Sequence, residues 1–298
     1  MKPAFERVAV LGLGLLGGSV VLAVKERGVA AQVAGATRRA DVLEEALRQG
    51  AIDEAGDFES AARGADLVVL AMPIFAMGEV VRRIAPVLGE GALVTDVGSV
   101  KAALADTLPG LLPRGVHYVG AHPMAGSHQR GMEHARADLF EGASCVVMEA
   151  AEPAARERVA GFWRALGARV VLRDPAVHDA EVAWVSHVPH LLAFAFASAL
   201  EQAPIGAFEL QGAGFRDFTR IAHSDPGLWG DILTGNRKAI AAPLQAVGRA
   251  LASLSGALEA DDAEAVEKII AAARVALSKG GARGSGSADA GQEPPTVG

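Results

Sequence analysis

Residues 8–28 read VAVLGLGLLGGSVVLAVKERG. A short β-branched run, Val8 to Leu11, passes into Gly12, Gly14 and Gly17 and then into an apolar helical stretch that closes on Lys25, Arg27 and Gly28. The spacing Gly-x-Gly-x-x-Gly between a strand and a helix has a mechanical reason. Gly12 permits the tight turn, Gly14 lets a pyrophosphate approach the backbone, and Gly17 lets the helix pack close to the strand. The helix N-terminus then presents unpaired amides to an anion. This context predicts a dinucleotide site that includes Gly12, Gly14, Leu15, Leu16 and Gly17, and with it a sheet built from βαβ units.

The same alternation continues outward. Short runs at Gln32 to Ala36, Asp66 to Ala71, Leu93 to Val97, His117 to Ala121, Ser144 to Glu149 and Arg169 to Leu172 are separated by amphipathic helical stretches. This predicts an α/β, Rossmann-type doubly wound domain over 1–174 with a largely parallel sheet. After Asp174 the strand signal stops and Ala/Leu-rich segments follow, from Ala176 to Glu201, Pro226 to Gly256 and Asp261 to Ser278. They predict an all-α C-terminal domain over 175–279. Within it Ile240, Leu244, Val247, Leu251, Leu254 and Leu258 recur at steps of four and three, a seam that serves either an internal helix contact or a dimer interface. A domain of only ~100 residues has difficulty hiding so many apolar faces, which favours the homodimer. The Gly-, Ser- and Pro-rich end, 280–298, is expected to be a disordered tail.

Composition narrows the function. The 298 residues are 51% hydrophobic and 21% charged with a net charge of −7, so the basic surface that nucleic acid requires is not expected. The single cysteine, Cys145, lies in an apolar run and reads as a buried strand thiol in a reducing compartment. No uninterrupted apolar run reaches the ~20 residues that span a bilayer, and the N-terminus lacks a signal pattern. A cytoplasmic protein without a membrane partner is expected.

Cofactor choice should be written at the end of the second strand, where an acid would hold an NAD ribose. There the chain has Ala36 and Thr37, followed by Arg38 and Arg39. Thr37 and an arginine suit a 2′-phosphate, favouring NADP over NAD; alternatively the two arginines only open a solvated helix near Asp41.

In a doubly wound sheet, ligands bind beyond the carboxyl ends of the strands. Met72 and Pro73 follow one strand and suit contact with the cofactor. Asp96, Ser99 and Lys101 follow the next, and His122 the one after. Each has a bland alternative: Ser99 as a helix cap, His122 as a donor to a backbone carbonyl. Their convergence on the domain with the nucleotide turn favours chemistry. The helical half offers Ser186, His187 and His190, then Arg216, Asp217, Arg220 and Trp229. His187 and His190 are three apart, yet no carboxylate or cysteine accompanies them in sequence, so no metal is expected. Arginines and a histidine facing a cleft suit an anionic substrate, or else form a surface ion-pair network with Asp217 and Asp225.

Taken in order, LGLGLLGGS, TDVGSVK, GAHPMAGS, VSHVPH and GFRDFTRIAHSDPGLW closely resemble the prephenate and arogenate dehydrogenases of tyrosine biosynthesis, over about residues 6 to 278. The resemblance implies oxidative decarboxylation of prephenate to 4-hydroxyphenylpyruvate. It implies His122 as catalytic histidine and Ser99 as the serine linking it to substrate and nicotinamide. It further implies Arg220 on the ring carboxylate, His190 and Arg216 at the side-chain carboxylate, and Ser186, His187 and Trp229 lining the pocket between the domains. Ser127 and His128 would also meet substrate. Many family members carry an acid where His128 stands, so this position bears on the choice between keto and amino substrates. A regulatory ACT domain, present in some relatives, is not expected after the helices. The rival readings are arogenate dehydrogenase, a two-domain hydroxyacid dehydrogenase, which would place a lysine where this chain has SHVPH, and a non-catalytic nucleotide sensor.

Overall fold

The structure, a computed structural model, describes residues 3–126 and 129–285, with side chains through 279. Six parallel strands form the main sheet: β1 (Phe5–Leu11), β2 (Ala30–Ala36), β3 (Glu54–Gly56), β4 (Leu67–Leu70), β5 (Leu93–Asp96) and β6 (His117–Tyr118), in the order β3-β2-β1-β4-β5-β6. The order reverses at β1, between β2 and β4, and in such sheets that reversal opens the ligand crevice. The register aligns Val10 with Gly35 of β2 and with Val69 of β4.

Helices α1 (Leu15–Arg27), α2 (Ala40–Arg48), α3 (Phe58–Ala62), α4 (Ile74–Ile84) and α5 (Ala102–Thr107) connect these strands. Alternate strand residues feed two cores. Val8, Val10, Leu67, Val69 and Leu93 pack with Val20 and Val24 of α1, whereas Ala9, Leu11, Val68, Leu70 and Val94 pack with Met77, Val81 and Ile84 of α4. Burial of both faces explains why these strands read as unbroken apolar runs. Each fully buried valine or leucine contributes roughly 1.5–3 kcal/mol.

The remaining strands depart from the single sheet that the sequence suggests. The run from His117 to Ala121 breaks, so that β6 ends at Tyr118 and β7 (Ala121–Pro123) starts a second, three-stranded sheet with β8 (Ser144–Met148) and β9 (Arg169–Arg173). There β7 and β8 are antiparallel and β8 and β9 parallel. Short β-branched runs announce strands but not their partners, because pairing is a long-range choice. The three-residue β3 carries no β-branched residue and was not legible.

Beyond the strands come α6 (Pro153–Ala165), α7 (Pro175–Val182), a π-turn at Ala183–His187, α8 (Val188–Ala199), α9 (Ala213–Thr219), α10 (Pro226–Gly235), α11 (Arg237–Glu259) and α12 (Ala263–Ser285). The described backbone from Pro175 on is helical or irregular. Two compact units divide within α11, the first running through Ile240 and the second starting at Ala241. The helices α7 to α10 thus belong to the same unit as the sheets, since α7 is anchored beneath α5 by hydrogen bonds described below. Helix α12 carries its backbone to Ser285, into the segment expected as tail; residues 286–298 lie outside the described residues.

The helical run 175–202 is, by length and composition, long and apolar enough to cross a membrane. It buries the polar side chains His178, Asp179 and His187, and all three are hydrogen-bonded there, as buried polar groups generally are.

Candidate active site

The nucleotide turn is held by backbone geometry. Gly12 has φ of +106°, and a Cβ there would sit 2.1 Å from the Ala71 carbonyl oxygen. At Gly17 a Cβ would lie 1.8 Å from the Gly12 carbonyl oxygen, whereas at Gly14 nothing lies within 4 Å. Two glycines therefore make close packing possible and the third leaves its backbone accessible. No side chain caps α1 and no acid sits in its first turn, so the amides there remain available, and the residues present fit a pyrophosphate. Gly12, Gly14, Thr37, Arg38, Arg39, Met72 and Pro73 line one cleft with Leu13, Val42, Phe58 and Gly131. Leu15 and Leu16 open α1 without lining this cleft; Leu16 packs on the core instead. Arg39 is paired with Asp41 at 2.6 Å.

His122 stands on β7, 8% exposed. Its position is fixed through the preceding residue. Asp96 accepts the Ala121 N–H at 3.1 Å and the Tyr118 hydroxyl at 2.8 Å through Oδ1. Oδ2 accepts the Gly98 N–H at 2.8 Å and meets the Lys101 ammonium. Lys101 Nζ in turn donates to the Ala121 carbonyl at 2.9 Å. Both ionic side chains are fully buried, so one ion pair grips both backbone polar groups of Ala121. Burial, with the electrostatic influence of His178, Lys101 and His187 acting in the same direction, holds the His122 pKa well below the ordinary histidine value. A neutral imidazole follows at physiological pH. Burial and the Asp96 charge push Tyr118 well above the usual phenol value.

Behind His122 lies a chain of hydrogen bonds. Its Nδ1 is 2.9 Å from His178 Nε2, and His178 Nδ1 is 2.8 Å from Asp179 Oδ1. Asp179 also accepts the amides of Lys101 at 2.8 Å and Ala102 at 2.9 Å. This corrects one alternative: Ser99, half-buried between β5 and α5, does not cap α5, because Asp179 does so from α7.

The second group lies on the π-turn, α8 and α10. His190 stacks on Trp229 with ring centroids 3.6 Å apart and planes 21° apart, and Phe194 and His187 meet the same indole edge-on. His190 Nδ1 is bound to the Ser186 carbonyl at 2.8 Å, which leaves Nε2 as the outward atom. Burial, aided by the Arg220 charge, lowers the His190 pKa, the Ser186 hydrogen bond partly opposing. His187 is buried and its pKa lowered to about 4, chiefly by burial. Asn236 Nδ2 donates to the Asp179 carbonyl at 2.8 Å and meets His187 Nδ1 at 3.0 Å. The same nitrogen must donate to the carbonyl, so His187 Nδ1 is an acceptor and its proton resides on Nε2. Arg220 and Arg216 are exposed, Arg216 donating to the Gln211 carbonyl at 3.0 Å. Ser127 and His128 lie outside the described residues.

The sequence did not single out His178, Asp179 or Asn236. The pair His178-Asp179 follows the α7 cap Asp174, and a histidine next to an aspartate is too common to signal anything by itself.

A doubly wound nucleotide-binding sheet, with a buried neutral histidine on the strand that opens the second sheet, is the framework of a nucleotide-dependent dehydrogenase. Family models agree and specify it: residues 20–172 match the prephenate dehydrogenase nucleotide-binding domain, and residues 174–272 match the prephenate dehydrogenase dimerization domain. A prephenate dehydrogenase of Lactococcus lactis is 31% identical, over 88% of this chain and 74% of that protein. A cyclohexadienyl dehydrogenase of Zymomonas mobilis is 33% identical, over 79% of this chain and 83% of that protein. A solved structure of A. aeolicus prephenate dehydrogenase, in complex with hydroxyphenyl propionate and NAD+, superposes with a TM-score of 0.84 at 28% identity, covering 92% of this chain and 98% of that one. The chain belongs to the prephenate dehydrogenase family.

Proposed function

We propose that the protein oxidatively decarboxylates prephenate to 4-hydroxyphenylpyruvate. The observation that carries this reading is a neutral, buried His122 on β7, in a chain whose relatives include prephenate dehydrogenases. When bound, the nicotinamide ring supplies the hydride acceptor. As hydride leaves C4, positive charge develops on the C4 hydroxyl, and His122 stabilises it by accepting that hydrogen bond. The C1 carboxylate bond then breaks, CO2 leaves, and its electron pair completes the aromatic ring, giving a phenol. Ser99 orients the hydroxyl toward His122. Prephenate is a dianion in a protein of net charge −7, so local donors must hold it. Arg220 takes the ring carboxylate, and His190 and Arg216 the side-chain carboxylate. Ser186, Trp229 and His187, as an Nε2–H donor, complete the wall. Gly12, Gly14 and Gly17 with the start of α1 hold the pyrophosphate, and Met72 and Pro73 flank the cofactor.

The similarity to a cyclohexadienyl dehydrogenase favours a second reading, in which arogenate is also accepted. Thr37 and Arg38, with no acid at the end of β2, favour NADP over NAD. Helices α8 and α11 leave Phe196, Leu244, Leu251 and Leu258 exposed in the single chain, which supports a homodimer. Steady-state kinetics crossing prephenate and arogenate with NAD and NADP test the reading. Turnover of prephenate is expected, and its absence in every combination rejects the assignment. Arg38→Ala should weaken NADP about fivefold more than NAD, a difference of ~1 kcal/mol.

A further inference from the structure

We propose that Asp179, acting through His178, fixes His122 in the tautomer with its proton on Nδ1, leaving Nε2 as the hydrogen-bond acceptor for the substrate. The proposal rests on the catalytic reading of His122 given above.

Proton counting along the chain of contacts leads to it. The Asp179 carboxylate already accepts two backbone amides, from Lys101 and Ala102, and an ionised carboxylate only accepts. The hydrogen at the 2.8 Å contact with His178 therefore belongs to His178 Nδ1. A His178 that holds its single proton on Nδ1 for Asp179 carries a lone pair on Nε2. The hydrogen in the 2.9 Å contact that follows then belongs to His122 Nδ1. The two rings meet edge-on, with planes 75° apart, a geometry compatible with a ring N–H directed at a ring lone pair. His178 is 1% and Asp179 3% exposed, so both are positioning residues. Asp179 also acts on the other histidine of the site in the opposite sense. Its carbonyl orients the Asn236 amide, whose nitrogen leaves His187 with its proton on Nε2. One aspartate thus sets an acceptor at His122 and a donor at His187, the pair that a hydroxyl and a carboxylate on one substrate call for.

The test is nitrogen NMR of the 15N-labelled full-length protein, with the His122 ring assigned by its loss in His122→Asn, run alongside kinetics. In the wild-type protein, Nδ1 of His122 should be protonated and Nε2 bare. His178→Leu should lose this pattern and lower kcat about 100-fold, with KM for the cofactor changing less than about twofold. His178→Gln carries a donor and an acceptor on one amide and should restore both the pattern and most of kcat. A wild-type His122 protonated on Nε2 overturns the proposal, as does a His178→Leu protein with unchanged tautomer and kcat. Should His178→Leu not fold, the wild-type spectrum and His178→Gln still decide. Failure of the wild-type protein to turn over prephenate would instead reject the functional reading, while the spectrum still reports the tautomer.

Discussion

The glycine turn and the histidine centre are built on opposite principles. The turn is a local object: Gly12, Gly14 and Gly17 are near neighbours in sequence, Gly12 and Gly17 lacking side chains where the Ala71 and Gly12 carbonyls come close and Gly14 facing open space. The histidine centre is assembled from distant pieces. His122 and His178 are 56 positions apart, Lys101 and Asp179 are 78, and His187 and Asn236 are 49. A local site tolerates loss of a distant contact, whereas an assembled one should fail when any of its anchors goes.

The largest effect is expected from the buried ion pair that grips Ala121. Lys101→Met leaves Asp96 charged and buried without its partner, which costs roughly 4 kcal/mol; a urea melt should show it, and the residual folded protein should have a displaced Ala121 and low kcat. If stability held, the ion pair would not be the grip on β7. His122→Asn should lower kcat about 200-fold, ~3 kcal/mol, with little change in KM. Intact turnover in that variant would remove His122 from the mechanism.

Two glycine variants probe the turn from within. Gly12→Ala places a Cβ against the Ala71 carbonyl at a positive φ and should destabilise the fold by on the order of 2–3 kcal/mol. Gly14→Ala meets open space, so its melting temperature should hold while the cofactor KM rises. Equal melting losses in both would contradict the division of labour between the glycines.

The smallest effect is a pH dependence of stability. His187 has its pKa lowered from the ordinary value near 6.5 to about 4. Between these values the unfolded chain binds a proton that the folded chain refuses. The stability associated with neutral His187 is complete above 6.5 and is lost as pH falls toward about 4. The loss is about 2 kcal/mol after allowance for screening, and His122 acts in the same direction. Denaturant titrations across that window should show the fall, and His187→Gln should flatten part of it. An unchanged slope would mean that His187 is not held neutral by the fold.

The legible part of the site follows the same division. The strand-end positions of Met72 and Ser99 could be read because a doubly wound sheet delivers ligands to its carboxyl edge whatever the side chains, whereas His122 sits within β7 of the second sheet. What α7 contributes could not be read, since Asp174, Asp179 and Glu181 look alike in sequence. Only packing makes Asp179 the cap of α5 and leaves Asp174 as the cap of its own helix. The run His117 to Ala121 misled for the same reason: its residues favour a strand, but Tyr118 pairs with β5 and Ala121 with β8.

The sequence by itself determined the α/β order, the nucleotide turn and the family, because these depend on residue type, period and spacing along a contiguous chain. The tertiary structure alone decided that a second sheet starts one residue before His122. It also decided that a buried lysine and aspartate grip that start, and that His178 and Asp179 stand behind the ring. Those choices are made by long-range hydrogen bonds among buried polar groups, each of which must find a partner on folding, and no local pattern specifies which partner that is.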